Sequence, residues 1–296
     1  MDRKLESFLT VCRTMNYREA ARQMHLTQPA ISKQIQALEN EFGTKLFRYD
    51  GRKLSKTEKG AILESYAISL EYNYRELELA MQEKKHLHLH IGATKTIGDY
   101  VIGPAVIRYL KDPDHELSLI VDNTVQLMKL LDENRLDFAI IEGIFDKKKY
   151  EYRLYRNEPF FGICAADYPN KEILKKPENQ DFPLEDLFGE TIIVREKGSG
   201  TRELFERDLE SRGYSLQCFS RIIELSSFQL IRQAVREGLG ISFVYASVIK
   251  DEENLRHFYA GGIQKYHEFN IVCLSNTSAH AYAERFLEEA KLIEGE

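Results

Sequence analysis

Apolar side chains recur at helical spacing in three short bursts near the start of the chain. Leu5, Phe8, Leu9 and Cys12 predict a first helix. Asn16 caps a second, YREAARQM, in which Ala20 and Ala21 are small enough for close packing. His25 and Leu26 make a short turn. Thr27 then caps a third helix, with Pro29 in its first turn, where a missing N–H costs nothing, and Gly43 at its end. Ile31, Ile35, Leu38 and Phe42 step by four, three and four, which is one apolar stripe. The opposite face carries Pro29, Lys33 and Gln36, with Ser32 on its flank, and no carboxylate. Three short helices with a tight turn between the second and third match a helix-turn-helix, whose last helix enters a major groove. Gln reads adenine, Lys reads guanine or holds phosphate, and Ser does either, whereas carboxylates are repelled by phosphate. An ordinary solvated helix face has the same composition, so this stretch alone leaves both explanations open.

Further along, KLFRYDGRKLSK predicts two strands about an Asp-Gly turn, a wing carrying Arg48, Arg52, Lys53 and Lys56. Basic residues on a hairpin beside a recognition helix suit phosphate or minor-groove contact. Leu63, Ala67, Leu70, Tyr74, Leu77 and Met81 then repeat at four, three, four, three and four, a heptad seam. A helix packed on its own chain gives the same pattern. A long helix between two domains is expected to find no such surface nearby, which favours a dimer.

From residue 87 onward, strand and helix patterns alternate. LHLHIGA, LSLIV, DFAIIEG, FFGICAA, TIIV, ISFVYA and NIVCL predict strands. GDYVIGPAVIRYL, VQLMKLLDEN, TRELFERDLESRG, SFQLIRQAVREG and AYAERFLEEAKLI predict helices. This is an α/β body.

Charge sharpens the division. The 296 residues carry a net −6, which seen alone argues against a nucleic-acid partner. Residues 1–60, however, hold twelve Lys or Arg against seven Asp or Glu, while the remainder holds 29 against 40. DNA contact is therefore expected only at the basic front end. Four cysteines without a CxxC pair predict free thiols and no zinc site. No apolar run reaches membrane-spanning length and the start lacks an apolar signal core, so the expected location is the cytoplasm.

The stretch NYREAARQMHLTQPAISKQIQALENEFGTKLF, followed by GR and TEKG, resembles the LysR-type transcriptional regulators across about sixty residues. Two positions depart from that family. Tyr49 stands where an Arg usually follows the Leu-Phe pair, with Arg48 before it, and Lys56 stands where a Leu usually precedes the Thr of TxxG. LDFAI and VREGLGISF extend the resemblance to the body. The resemblance implies a winged helix-turn-helix (1–60), a dimerising linker helix (61–86) and an effector-binding domain (87–296). That domain would have two α/β lobes like a type 2 periplasmic binding protein. Lobe 1 would take about 87–161 and 267–296, and lobe 2 about 162–266. Thr27, Gln28, Pro29, Ser32, Lys33, Gln36, Arg52 and Lys53 would contact operator DNA. Homodimers would form through the linker helix and tetramers through the bodies.

In α/β lobes, ligands bind beyond the carboxyl ends of strands and at helix N-termini. Three segments hold such places. GATKTIGD offers Thr94 and Thr96 with the amides of Ile97 and Gly98. REKGSGTR offers Ser199, Gly200 and Thr201. ELSSF offers Ser226. Hydroxyls and helix-end amides suit a small anion. Ordinary helix capping explains each segment singly, but three at one cleft, at the family's effector positions, favour a small-anion effector. Glu142, at the end of DFAII, opposes a bare anion unless it is protonated or paired with Arg202 or Lys95. REKGSGTR also resembles the branches of the family controlling sulfur assimilation and carbon fixation, and a sulfur oxyanion, sulfite or sulfate, is the effector this implies.

His86, His88 and His90 line one strand face, but neighbours about 7 Å apart cannot all reach one ion, so a polar strand face is expected and no metal or other cofactor. The rival from another class is an enzyme. GSGTRE resembles the Thr-Arg-Phe motif of prephenate dehydratase, with Glu203 in place of the Phe. No nucleophile–base pair accompanies it, so no catalytic residue is assigned.

Overall fold

The structure is a computed structural model that describes residues 1–51, 53–81, 87–169, 181–250 and 252–290. Arg52, His86 and the end of the linker (82–86) lie outside the described residues, as do 291–296.

The front end packs α1 (Arg3–Thr14), α2 (Tyr17–Gln23) and α3 (Gln28–Phe42) around Phe8, Ile31, Ile35 and Leu38. The Asn16 side chain accepts from the amides of Arg18 and Glu19, and Thr27 accepts from Ala30. Gly43 closes α3 in the left-handed region, at φ +62°. One expected stripe member differs: Phe42 is 53% exposed. The chain turns away at Gly43, and Leu46, 1% exposed, fills the core instead. β1 (Phe47–Asp50) and β2 (Lys53–Lys56) pair antiparallel to form the wing.

Helix α4 (Glu58–Met81) shows why periodicity alone left its partner open. Contrary to the expectation of a free linker, one face rests on the chain's own body. Ala67, Ile68 and Tyr72 are buried. Tyr72 donates to Asp137 (2.8 Å), Ser69 to the Ser275 carbonyl (2.7 Å) and Asn73 to the Asn276 carbonyl (2.9 Å). Leu70, Tyr74, Leu77 and Met81 remain exposed on another face.

The body is built on one sheet of ten strands. In chain order these are β3 (Leu87–Thr94), β4 (His115–Asp122), β5 (Phe138–Ile141), β6 (Tyr150–Ala165), β7 (Asp181–Phe182), β8 (Thr191–Val194), β9 (Arg221–Glu224), β10 (Ile241–Tyr245), β11 (Leu255–Ala260) and β12 (Tyr266–Leu274). Their order in space is β4-β3-β5-β12-β6-β10-β8-β9, with β11 on β6 and β7. Strand β6 runs sixteen residues through both lobes. Its first part pairs with β12 and its second with β10 and β11. The hand-over falls at Phe160, whose amide donates to the Lys265 carbonyl (2.8 Å). The helices are α5 (Lys95–Tyr100), α6 (Gly103–Tyr109), α7 (Thr124–Asp132), α8 (Gly200–Glu210), α9 (Phe228–Arg236) and α10 (Ala279–Glu289). The expected helix GDYVIGPAVIRYL is thus two, α5 and α6. Pro104 lacks the N–H that a continuous helix would donate to the Tyr100 carbonyl, so the chain breaks at Val101 and Ile102 and Pro104 sits in the first turn of α6.

Candidate functional site

On the front end, Gln28, Pro29, Lys33 and Gln36 are exposed along α3, and Ser32 is half-buried. Lys33, Gln36 and Lys53 have no side-chain hydrogen-bond or ion-pair partner among the described residues. A groove of about 360 Å³ separates α3 from the wing, lined by Gln28, Ser32, Gln36 and Tyr49. The one carboxylate there, Glu39, is occupied inward by Lys45 (2.5 Å) and the Leu46 amide (3.0 Å). Lys56 is paired with Glu64 (2.5 Å).

In the body, the carboxyl ends of β3, β5 and β8 meet. Thr94, the last residue of β3, makes no capping bond to α5. Its hydroxyl donates instead to the Glu142 carboxylate, as do Thr96 (3.0 Å) and, from the other lobe, Thr201 (3.2 Å). Thr124 donates to the Glu142 carbonyl (2.8 Å). Glu142 is 2% exposed, and burial raises its carboxyl above the usual range; the Thr94 and Thr96 hydroxyls and the charge of Arg195 pull the other way. Capping is therefore not what these threonines do: three hydroxyls from two lobes hold one acidic group.

The expected partners of Glu142 are elsewhere. Lys95 pairs with Glu196 (3.3 Å) and donates to the Ser226 carbonyl (3.1 Å). Arg202 binds Glu206 (2.8 Å) and Glu224 (2.5 Å). A cation that the sequence did not single out is Arg195. Its Nε and Nη2 bind Glu196 (2.8 and 3.0 Å), its guanidinium carbon lies 4.3 Å from the Phe228 ring centre, and its Nη1 has no protein partner. Ser199 caps α8 without a side-chain bond, and its buried Oγ also lacks a partner. Gly200 touches the Glu142 backbone so closely that a Cβ there would meet Thr124 Oγ1 at 2.7 Å. Ile97 is wholly buried in the core, and Gly98 lies under Val121. Ser227, not Ser226, caps α9. Ser226 instead lines an opening of about 490 Å³ together with Lys95, Asp99, Tyr100, Phe228 and Arg232.

His88 binds Glu116 (3.0 Å) and Ser118 (2.7 Å) and stacks on His90. Among the described residues no group of side chains could hold a metal ion, and no helix is long and apolar enough to cross a membrane.

Residues 3–61 match the family model described as the bacterial regulatory helix-turn-helix protein, lysR family, and residues 82–291 match the LysR substrate binding domain. The chain belongs to the LysR family of transcriptional regulators. The "RuBisCO operon transcriptional regulator" of Allochromatium vinosum is 29% identical over 86% of this chain and 82% of its own. The "HTH-type transcriptional regulator CysL" of Bacillus subtilis is also 29% identical, over 84% and 81%. Among solved structures, full-length OxyR from Pseudomonas aeruginosa superposes with a TM-score of 0.60 at 21% identity, covering 98% of this chain and 94% of that one. This LysR-family member is thus a DNA-binding regulator with an effector-binding domain. Its families and relatives are regulators and not enzymes, and the dehydratase reading of GSGTRE has no support from them.

Proposed function

We propose that this regulator responds to a small oxyanion held between the lobes of its body, a sulfur oxyanion such as sulfite or sulfate being the leading candidate. The observation that carries the reading is the convergence of Thr94 and Thr96 from one lobe and Thr201 from the other on the Glu142 carboxylate. A carboxylate is itself an oxyanion, so the donor set already accepts the chemistry proposed for the effector. Glu142 stands where the effector would bind and competes with it for the hydroxyls. Arg195 Nη1 and Ser199 Oγ, both without a protein partner, supply the further donors an incoming anion needs. Binding across both lobes favours the closed body, and a changed angle between paired bodies re-spaces their helix-turn-helix units on DNA.

DNA is held by the outer face of α3 and by the wing, through Thr27, Gln28, Pro29, Ser32, Lys33, Gln36, Arg52 and Lys53. Two chains pair along the exposed Leu70–Tyr74–Leu77–Met81 edge of α4. Tetramers join through the bodies, where Ile107 and Leu110 on one lobe and Leu230 and Leu239 on the other leave apolar side chains in solvent.

Calorimetric titration of the full chain with sulfite, sulfate, phosphate and small carboxylates tests the chemistry. Thr96→Ala with Thr201→Ala is expected to weaken oxyanion binding and to leave ligand-free operator binding intact. Binding of small carboxylates or amino acids alone, with no response to sulfite, sulfate or phosphate, refutes the proposal.

A further inference from the structure

A second cavity, of about 230 Å³, lies at the hinge and shares no residue with the threonine cluster. Its walls come from the loop after β5 (Gly143 to Lys147), from Leu204 and Arg207 of α8, and from His267, Glu268 and Asn270 of β12. Both lobes and one of the strands that join them therefore contribute.

Two of its polar side chains are more than nine-tenths buried and incompletely satisfied. His267 is 3% exposed, and its Nε2 has no hydrogen-bond partner. The nearest carboxylate oxygen, on Asp208, is 4.0 Å away, beyond bonding distance, and is taken up by the Gln264 amide (2.9 Å). Burial, assisted by the charge of Arg207, pushes the imidazole down to about 4, so it is neutral near pH 7. Asn270 is 5% exposed; its amide nitrogen donates to Glu268 (3.3 Å), but its Oδ1 accepts from nothing in the protein. Buried polar atoms are almost always paired, so two orphans beside one cavity are an unusual concentration. At the same rim, the exposed guanidinium of Arg207 has no ion pair among the described residues.

We infer that this hinge cavity is a second ligand site and takes a small hydroxycarboxylic acid. The carboxylate meets Arg207. A hydroxyl donates a hydrogen bond to Asn270 Oδ1 or to the imidazole Nε2. A fully ionised inorganic oxyanion has no hydrogen to donate to Asn270 Oδ1. An apolar molecule leaves Arg207, His267 and Asn270 unmatched. The volume lies below the roughly 300–1,000 Å³ of sites for drug-sized ligands, which confines the occupant to a small metabolite.

The test is calorimetry on the full chain with L-malate and with succinate, which differ by one hydroxyl. Malate is expected to bind at least about tenfold more tightly, because a site built to accept a hydroxyl proton rejects the analogue lacking it. Arg207→Ala, an exposed change that the fold tolerates, is expected to weaken malate about tenfold or more. Thr201→Ala, in the other site, is expected to leave malate binding within twofold. Equal binding of succinate overturns the inference, as does an Arg207→Ala variant with parental affinity. So does the absence of malate binding in the parent. Loss of malate binding on Thr201→Ala, with Arg207→Ala unaffected, overturns it too by assigning the ligand to the threonine cluster.

Discussion

Gly200→Ala is expected to wedge the lobes apart. Gly200 is the first residue of α8, and its backbone is compatible with alanine, so the glycine is there for space. An added Cβ would run into the Glu142 carbonyl oxygen, and would lie 2.7 Å from Thr124 Oγ1 and 2.8 Å from the Glu142 carbonyl carbon. Two of the three obstacles are backbone atoms, which cannot rotate away as a side chain would. Overpacking of this kind costs about 1–3 kcal/mol. The cost falls on the closed body alone, because swinging the lobes apart clears the Cβ and breaks the Thr201–Glu142 bond. A bias of about 1–3 kcal/mol changes the closure equilibrium, and the affinity of any ligand that needs closure, by up to about 5–150-fold. Hydrogen exchange reads this directly: amides around Glu142–Ile144 and Ser199–Arg202 exchange faster in the variant, while those of α1 to α3 do not change. A folded variant with parental exchange in both segments refutes the argument that these backbones hold the cleft shut.

Three further outcomes follow from the same geometry. Lys33→Ala or Gln36→Ala is expected to cost about 1–3 kcal/mol of operator affinity if the residue reads a base, as measured by electrophoretic titration at fixed salt; parental binding by both variants removes α3 from the base-reading role. Leu70→Glu with Leu77→Glu places charge on the exposed edge of α4 and is expected to split the dimer in sedimentation, and an unchanged mass denies that edge the pairing role. Glu142→Gln is expected to change the dependence of stability on pH. The folded-state value of Glu142 is raised, so its contribution is fully present below the ordinary value near 4.5 and is lost as pH rises through the raised one. Relative to the parent, the glutamine variant therefore gains stability as pH rises above about 4.5, and parallel denaturation curves across that range contradict the assignment.

The sequence carried much of this architecture because the main signals were local. Caps at Asn16 and Thr27, the glycine after α3 and the alternation of the body all depend on neighbours a few residues away. β9 and β11 were not read from the sequence. RIIE and LRHFYA mix polar and apolar positions too briefly to stand out, and pairing to β8 and β6 makes them strands. Phe42 shows the limit of periodicity, since a stripe cannot say where the core stops. In the cleft, Thr94, Thr96, Thr201 and Glu142 could be placed by their positions at strand ends. That the hydroxyls bind Glu142 itself could not, because the contacts join residues 46, 48 and 59 positions apart in the chain that meet only in the fold. Arg195 was invisible for a similar reason: its setting depends on Phe228, which is distant in sequence and close only in the fold.

Strands β6 and β12 carry the chain between the lobes as a paired ribbon, and this has a mechanical meaning. Loops joining two lobes would act as a free swivel. A hydrogen-bonded ribbon cannot slide, because a one-residue slip would turn every inward side chain outward. What remains is bending and twisting, and the ribbon has one built-in weak point, the register irregularity between Phe269 and Asn270. Cleft opening is therefore movement against a leaf spring, with a restoring torque that grows with angle. If a ligand closes the cleft as proposed, such a joint brings the body back to one resting geometry when the ligand leaves.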